Sequence, residues 1–227
     1  MRRAIRKMSR RTWLRRAATG GAALAMAMGG LRRALAMGAV PPGVYRARGD
    51  VRINGKPAQK GMELKPGDVV STGRDSELVV VVGKDAFLMR AETRVEYSGD
   101  AAQLIVSGLR VVTGALLSVF EPGKPKTIRT ATATIGIRGT GIYVEVEAKR
   151  TYACTCYGEA QLAPVDDPSL AETVRTKHHD EPRFIYAKGM PRMMERAPIF
   201  NHTDAELIML EDLVGRTTPF AFSYTRY

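Results

Sequence analysis

The sequence predicts an all-β fold, a sandwich or roll of many short strands, with a C-terminal extension that contains one α-helix. Short runs of β-branched residues are separated at close spacing by Gly, Pro, Asn and Asp. Residues 130–147 alternate between two faces, with Thr130, Thr132 and Thr134 on one of them. No convincing helical pattern precedes residue 165. Such a series of short strands and turns is typical of sandwiches and rolls.

The strands of this β domain are expected between residues 44 and 162, after a flexible lead-in at residues 37–43. Val51–Ile53 leads into Asn54-Gly55, the dipeptide with the strongest hairpin signal. The run Glu77–Val82, apolar at every position after its first, indicates a strand that is buried on both faces. Further short strands are predicted at residues 69–70, 86–89, 94–97, 103–106, 109–112, 115–120 and 184–186.

The extension, residues 163–227, contains the helix, which is predicted over about residues 204–214. Thr203-Asp204-Ala205-Glu206 has the capping-box pattern of a helix N-terminus. Apolar residues then follow at helical spacing, and Gly215 lies where a C-terminal capping glycine is expected. We therefore expect this helix to pack against the β domain.

The N-terminus, residues 1–36, resembles the twin-arginine (Tat) export signal of bacteria. Arg10 and Arg11 precede the apolar run 17–31, which is short for a membrane span, and a small-x-small pattern ends at Ala36. The resemblance implies passage through the Tat translocase in a folded state and a periplasmic mature protein. The alternative is an uncleaved N-terminal anchor.

The charge of the chain depends strongly on this segment. The whole chain carries 35 Lys and Arg against 23 Asp and Glu, a net charge of +12. Ten of these basic residues and no acidic residue lie in residues 1–36, so the remainder has 25 against 23, or +2. Net charge therefore argues against a nucleic-acid partner. No later stretch is apolar enough for a stable membrane span, and two cysteines do not make a disulfide-built scaffold.

Two stretches of the β region resemble the FecR domain family. Residues 49–73 resemble the Gly-Asp opening of that domain, and residues 132–140, Thr-Ala-Thr-Ile-Gly-Ile-Arg-Gly-Thr, resemble its hallmark motif. The resemblance implies a periplasmic, β-rich, non-catalytic module that binds or senses a periplasmic or envelope protein.

Four residues form the core of this hallmark loop: Gly136, Arg138, Gly139 and Thr140. Its glycines allow a backbone turn or a close approach that side chains would prevent. Arg138 is the one long donor among them. It either holds the turn by bonding backbone carbonyls or a carboxylate, or it contacts an anion or another ligand.

Every Cys and His of the chain lies between residues 154 and 202: Cys154, Cys156, His178, His179 and His202. Two cysteines at positions i and i+2 of a strand share one face, about 6.6 Å apart, so both thiolates can reach one metal ion. Adjacent histidines of an extended chain point to opposite faces, so only one of them would join readily. Together with His202 they would make a Cys2His2 set that suits zinc or copper.

This cluster has two other interpretations. The two thiols could form a strained disulfide or a redox pair, or the five residues could have no special chemistry. We find no motif of a hydrolase, zinc protease or phosphate-binding loop, so an enzyme is not expected. The exception would be a thiol-based or metal-dependent activity at the cluster, such as a Cys156–His179 nucleophile pair. The rival functions are thus a non-catalytic binding or sensing module and a metal-binding or thiol-redox protein.

Overall fold

A computed structural model describes residues 38–100 and 105–220, and the predicted export signal lies outside these ranges. The described residues are mostly β-strands, which confirms the all-β prediction with one C-terminal α-helix. The strands are β1 Gly43–Arg48, β2 Val51–Ile53, β3 Lys56–Pro57, β4 Val69–Thr72, β5 Glu77–Val82, β6 Asp85–Met89, β7 Arg94–Asp100, β8 Ile105–Val119, β9 Pro125–Arg129, β10 Ala133–Val146, β11 Arg150–Pro164, β12 Glu172–Thr176, β13 Arg183–Tyr186 and β14 Met194–Arg196. The helix α1 is Asp204–Leu213, and a 3-10 turn spans Pro168–Leu170.

The short-range signals of the sequence produce the local structures they predict. β2 and β3 form a hairpin whose two turn residues, Asn54 and Gly55, both have positive φ, as a tight hairpin turn requires. Thr203 caps α1: its hydroxyl accepts the N–H of Glu206, and the Glu206 carboxylate accepts the N–H of Thr203. The predicted capping box is therefore confirmed.

The strand β8 differs from the prediction of three separate strands in this region. It pairs with β7 through residues 105–113 and with β6 and β10 through residues 114–119. Register shifts occur beside Gly108 and Gly114, and the strand continues to pair on both sides of each shift. Gly139 acts similarly in β10, where its positive φ lies within a register shift. The three long strands β8, β10 and β11 form a framework with which β6, β7, β9, β12 and β13 pair directly.

Two apolar clusters lie on opposite faces of this framework. In β5, Leu78, Val80 and Val82 belong to the larger cluster, whereas Val79 and Val81 belong to the second. This strand is buried on both faces, as its apolar run predicts. The second cluster also contains α1 residues Leu207 and Leu210, so α1 covers one face of the sheet.

The sheet continues past residue 162 into the extension. β12 pairs with β11 at Gly158–Leu162, β13 pairs with β11 at Arg150–Ala153, and β14 pairs with β13. Within the part of the chain that the structure describes, no helix has the length and apolar character needed to cross a membrane.

Candidate functional site

Cys154 and Cys156 lie on β11 and both belong to the second apolar cluster, the one that α1 covers. Their i, i+2 spacing on a strand directs both side chains to the same face. Both thiols are free and fully buried. The Sγ of Cys156 also lies 3.5 Å from the carbonyl oxygen of Cys154. The strand thus presents two thiols into an enclosed, mainly apolar space.

His179 reaches this space from the loop between β12 and β13. The Thr176 hydroxyl accepts the N–H groups of His178 and Asp180 at 3.1 and 3.0 Å, and donates to the Asp180 carboxylate at 2.7 Å. His179 itself has a left-handed backbone, with φ of 52°, and its N–H donates to the Cys156 carbonyl at 2.9 Å. This turn holds the His179 ring against β11, where it is 1% exposed.

His202 comes from a third segment, directly before the helix-capping Thr203. Its ring stacks on Tyr143, with centroids 4.6 Å apart and an angle of 18° between the planes. Its Nδ1 lies 2.7 Å from the carbonyl oxygen of Phe200. These two contacts direct the opposite nitrogen, Nε2, toward the cysteines.

The four side chains Cys154, Cys156, His179 and His202 converge, with their ligand atoms all within 4.8 Å of one another. The Nδ1 of His179 lies 3.4 Å from the Cys154 Sγ and 3.0 Å from the His202 Nε2. Around a tetrahedral zinc ion, two nitrogens are about 3.3 Å apart and a nitrogen and a sulfur about 3.5 Å apart. These two separations are close to those that a single tetrahedral ion imposes.

The hydrogen-bond partners define where the protons of both imidazoles lie. The Phe200 carbonyl only accepts, so the His202 Nδ1 carries a proton and Nε2 of the neutral ring has a free lone pair. The Asp204 carboxylate accepts from the His179 Nε2 at 3.1 Å, so in the neutral ring the lone pair of Nδ1 is directed toward Cys154 and His202. These two lone pairs face each other across 3.0 Å, and a metal ion would be shared by both.

Asp204 is the functional residue that sequence reasoning missed, because its position at the start of α1 has an ordinary explanation in helix capping. It is 1% exposed, and its Oδ1 accepts from both His178 and His179. Its Oδ2 is buried without a hydrogen-bond partner among the described residues. The signal in the sequence that could have indicated Asp204 is its position two residues after His202, a histidine of the cluster.

His178 and His179 therefore take different places, and only His179 joins the two cysteines. His178 has a side chain that is 28% exposed, and its Nε2 donates to the Asp204 Oδ1 at 2.8 Å. His178, His179 and Asp204 also form a second group of neighbouring ligand atoms, in which His179 is shared with the first. His178 thus supports the carboxylate from the solvent side.

The burial and the contacts of the site shift the pKa values of its groups. Burial alone would raise the pKa of Cys154, but Cys156, His179 and His202 stabilise its thiolate, so its pKa is well below the ordinary value. Burial and the neighbouring Cys154 raise the pKa of Cys156 well above the ordinary value. Burial would lower the pKa of His179, but Cys154 and Asp204 favour the protonated ring and raise it. These contacts favour the thiolate of Cys154 and the protonated ring of His179.

The residues of the hallmark loop lie within strand β10, where Gly136 and Arg138 pair with Gln161 and Glu159 of β11. The Thr140 hydroxyl donates to the Glu159 carbonyl at 2.8 Å and accepts the N–H of the same residue at 3.2 Å. The side chain of Arg138 is exposed and makes no hydrogen bond or ion pair with the described residues. It borders an open polar groove of about 420 Å³, which Gln161 and Arg175 also line.

Comparison with known proteins adds little to this description. No protein-family model matches the chain, and no curated protein matches it. Two crystal structures, at 1.65 and 2.50 Å resolution, of what is described as "a putative anti-sigma factor from Parabacteroides distasonis" are similar to this chain. Each is 16% identical to this chain, with a TM-score of 0.46. The alignments cover 64% of this chain and 74% and 73% of the two crystallised chains. A likeness of this size carries no argument about function.

Proposed function

We propose that this is a metal-binding protein whose ion is held by Cys154, Cys156, His179 and His202. One observation carries the proposal: two buried imidazole lone pairs face each other at 3.0 Å beside two free thiols. The Phe200 carbonyl and the Asp204 carboxylate bond the opposite ring nitrogens, and metal-binding histidines almost always have such partners. Without an ion, this arrangement needs an extra proton between the rings.

The ligand set favours zinc. Two thiolates and two neutral imidazoles are a common tetrahedral set of structural zinc sites, and four protein ligands leave no open position. All four side chains are buried, at 0–1% exposure. The ion would therefore have a structural role rather than bind a substrate. Copper(I), which soft thiolates also select, is the competing ion that elemental analysis distinguishes.

We also propose that the protein works in the periplasm after export by the Tat translocase. The Arg10-Arg11 pattern supports this assignment, as argued from the sequence. The site supports it indirectly, because the four ligands lie in three separate segments and meet only in the folded chain. Tat export of the folded protein would deliver the ion already bound.

A FecR-like binding role for the β domain is a second proposal. The observation that favours it is the exposed Arg138 side chain beside a polar groove. This role predicts that a protein cross-linked to the chain in the periplasm is lost in an Arg138→Glu variant. The same protein should be retained in Arg192→Glu, which changes an exposed arginine in a different segment.

The metal proposal is tested by inductively coupled plasma mass spectrometry of the purified full chain, with a thiol count on the same sample. We expect about one equivalent of zinc per chain and both thiols protected from modification. His179→Ala should lower the zinc content below about a tenth of an equivalent. His178→Ala is the matched control, because it removes the neighbouring imidazole that is not among the four ligands.

Circular dichroism of both variants establishes that any loss of zinc is not a loss of fold. A wild-type protein without bound metal would refute the proposal, as would a His179→Ala variant that is folded and keeps its zinc. About one equivalent of copper would retain the site and change the ion. A disulfide between the two cysteines in the purified protein would instead favour the redox interpretation.

A further inference from the structure

We infer that the metal ion controls whether helix α1 stays packed against the sheet. This inference rests on the proposed metal site, and it adds a conformational role to it. In this description, α1 is held over an apolar face while the ion is bound, and its N-terminal half is released when the ion leaves. The rest of the β-sheet keeps its structure in both states.

The origin of the ligands makes the ion a cross-link between α1 and the sheet. Two ligands are on β11, one is on the β12–β13 loop, and His202 is two residues before the first residue of α1. Asp204, that first residue, is bonded to His179. An ion at this place therefore connects the beginning of α1 to the sheet through both His202 and Asp204.

The surface that α1 covers is a continuous apolar face. Leu207, Leu210 and Leu213 of α1 pack into the second apolar cluster, and all three are 0–5% exposed. The sheet residues of this cluster include Val79, Val81, Leu88, Leu117 and Val119. Exposure of so many apolar side chains to water would be unfavourable. An ion that holds α1 against this face would prevent that exposure.

The helix is too short to be stable without its packing, because isolated helices of about ten residues are marginal in water. The C-terminal end of α1 is held by contacts that do not involve the metal ligands. The Glu211 carboxylate accepts from the Tyr157 hydroxyl, and it pairs with Arg216 at 2.6 Å. The Leu213 carbonyl also accepts the N–H of Val40 at 2.8 Å.

Besides the metal ligands and the packing of Leu207, polar contacts of Arg90 and Asn201 hold the N-terminal end. The guanidinium of Arg90 pairs with Glu206 at 2.8 Å and donates to the Asn201 carbonyl at 2.9 Å. This pair is partly exposed, and such pairs contribute little to stability. Loss of the ion would therefore weaken the N-terminal end of α1 much more than its C-terminal end.

Hydrogen–deuterium exchange of the full chain tests this inference. The zinc-loaded protein is compared with the same protein after removal of zinc by a chelator. We expect amides of residues 200–208 to exchange at least about tenfold faster without zinc. Amides of residues 209–215 should change less, and those of β5 should not change. An Arg90→Gln variant should bind as much zinc as the wild type. After chelation, the exchange of its residues 200–208 should accelerate more than in the wild type.

The outcomes separate the two proposals. A protein that binds zinc, but whose residues 200–208 exchange equally fast with and without it, would refute the control of α1 and leave the metal site intact. Equal acceleration in α1 and β5 would also refute it, because the ion would then stabilise the whole fold. A protein that binds no metal would remove the proposed function and this inference with it.

Discussion

The Nδ1 of His179 lies 3.0 Å from the Nε2 of His202, although 23 residues separate them in the chain. Both rings are buried, and each has its other nitrogen bonded to an oxygen that only accepts. The contact exists because a left-handed turn holds one ring and the approach to α1 holds the other. Two neutral rings in this arrangement need a cation between them, either a proton or a metal ion, and the two adjacent thiols favour the metal ion.

Replacement of Asp204 by Asn should weaken metal binding without removing a ligand. The carboxylate fixes the proton of His179 on Nε2, and loss of such a partner typically costs 10–100-fold in metal affinity. We expect a zinc affinity about 10–100-fold lower in competition with a chromophoric chelator, with the stoichiometry unchanged at saturation. Asp212→Asn is the control, because Asp212 is an exposed acid of the same helix. Equal affinities of the two variants would contradict the role of Asp204.

Metal binding should weaken as the pH falls. Although burial lowers the pKa of His179, Cys154 and Asp204 raise it above its ordinary value, so protons compete for this ring at a higher pH than usual. Zinc binding requires the deprotonated ring, and the two cysteines must also lose their protons. We expect the apparent zinc affinity to decrease continuously from about pH 8 to about pH 5. An affinity independent of pH over this range would exclude these ligands.

Gly141→Ala should destabilise the fold, because the glycine allows a close approach between β10 and the Tyr157 ring. A Cβ at this position would lie 2.3 Å from the Tyr157 Cε1. We expect the free energy of unfolding to fall by about 1–3 kcal/mol, measured by urea denaturation. Gly136→Ala is the matched control on the same strand, since its Cβ would meet no heavy atom closer than 3.8 Å. Equal stability of the two variants would contradict this steric explanation.

Lys126→Met should strongly destabilise the β domain. Lys126 pairs with Asp85 at 2.9 Å, and their side chains are only 5% and 3% exposed. Its removal leaves a buried carboxylate without its cation, which typically costs about 3–5 kcal/mol. Lys124→Met removes an exposed partner of Glu121 and should cost about 0–1 kcal/mol. Thermal denaturation compares the two, and a similar midpoint for both variants would be evidence against the buried pair.

Much of the fold could be predicted from short-range patterns. The hairpin at Asn54-Gly55, the doubly buried run Glu77–Val82 and the capping box at Thr203 depend on neighbouring residues alone, and all three are present. The sequence patterns did not predict β12 and β14. Their strands Glu172–Thr176 and Met194–Arg196 are polar and only partly buried, so they have no apolar run. Pairing with the neighbouring strands orders them.

The sequence by itself determined an all-β domain, a capped C-terminal helix and a set of five candidate ligands between residues 154 and 202. Only the tertiary structure decided which of them meet. It selected His179 over His178, through the left-handed turn that directs one ring into the interior and leaves the other partly exposed. It also added Asp204. Local patterns act through neighbours along the chain, whereas the site is built by long-range packing of three segments that are distant in sequence.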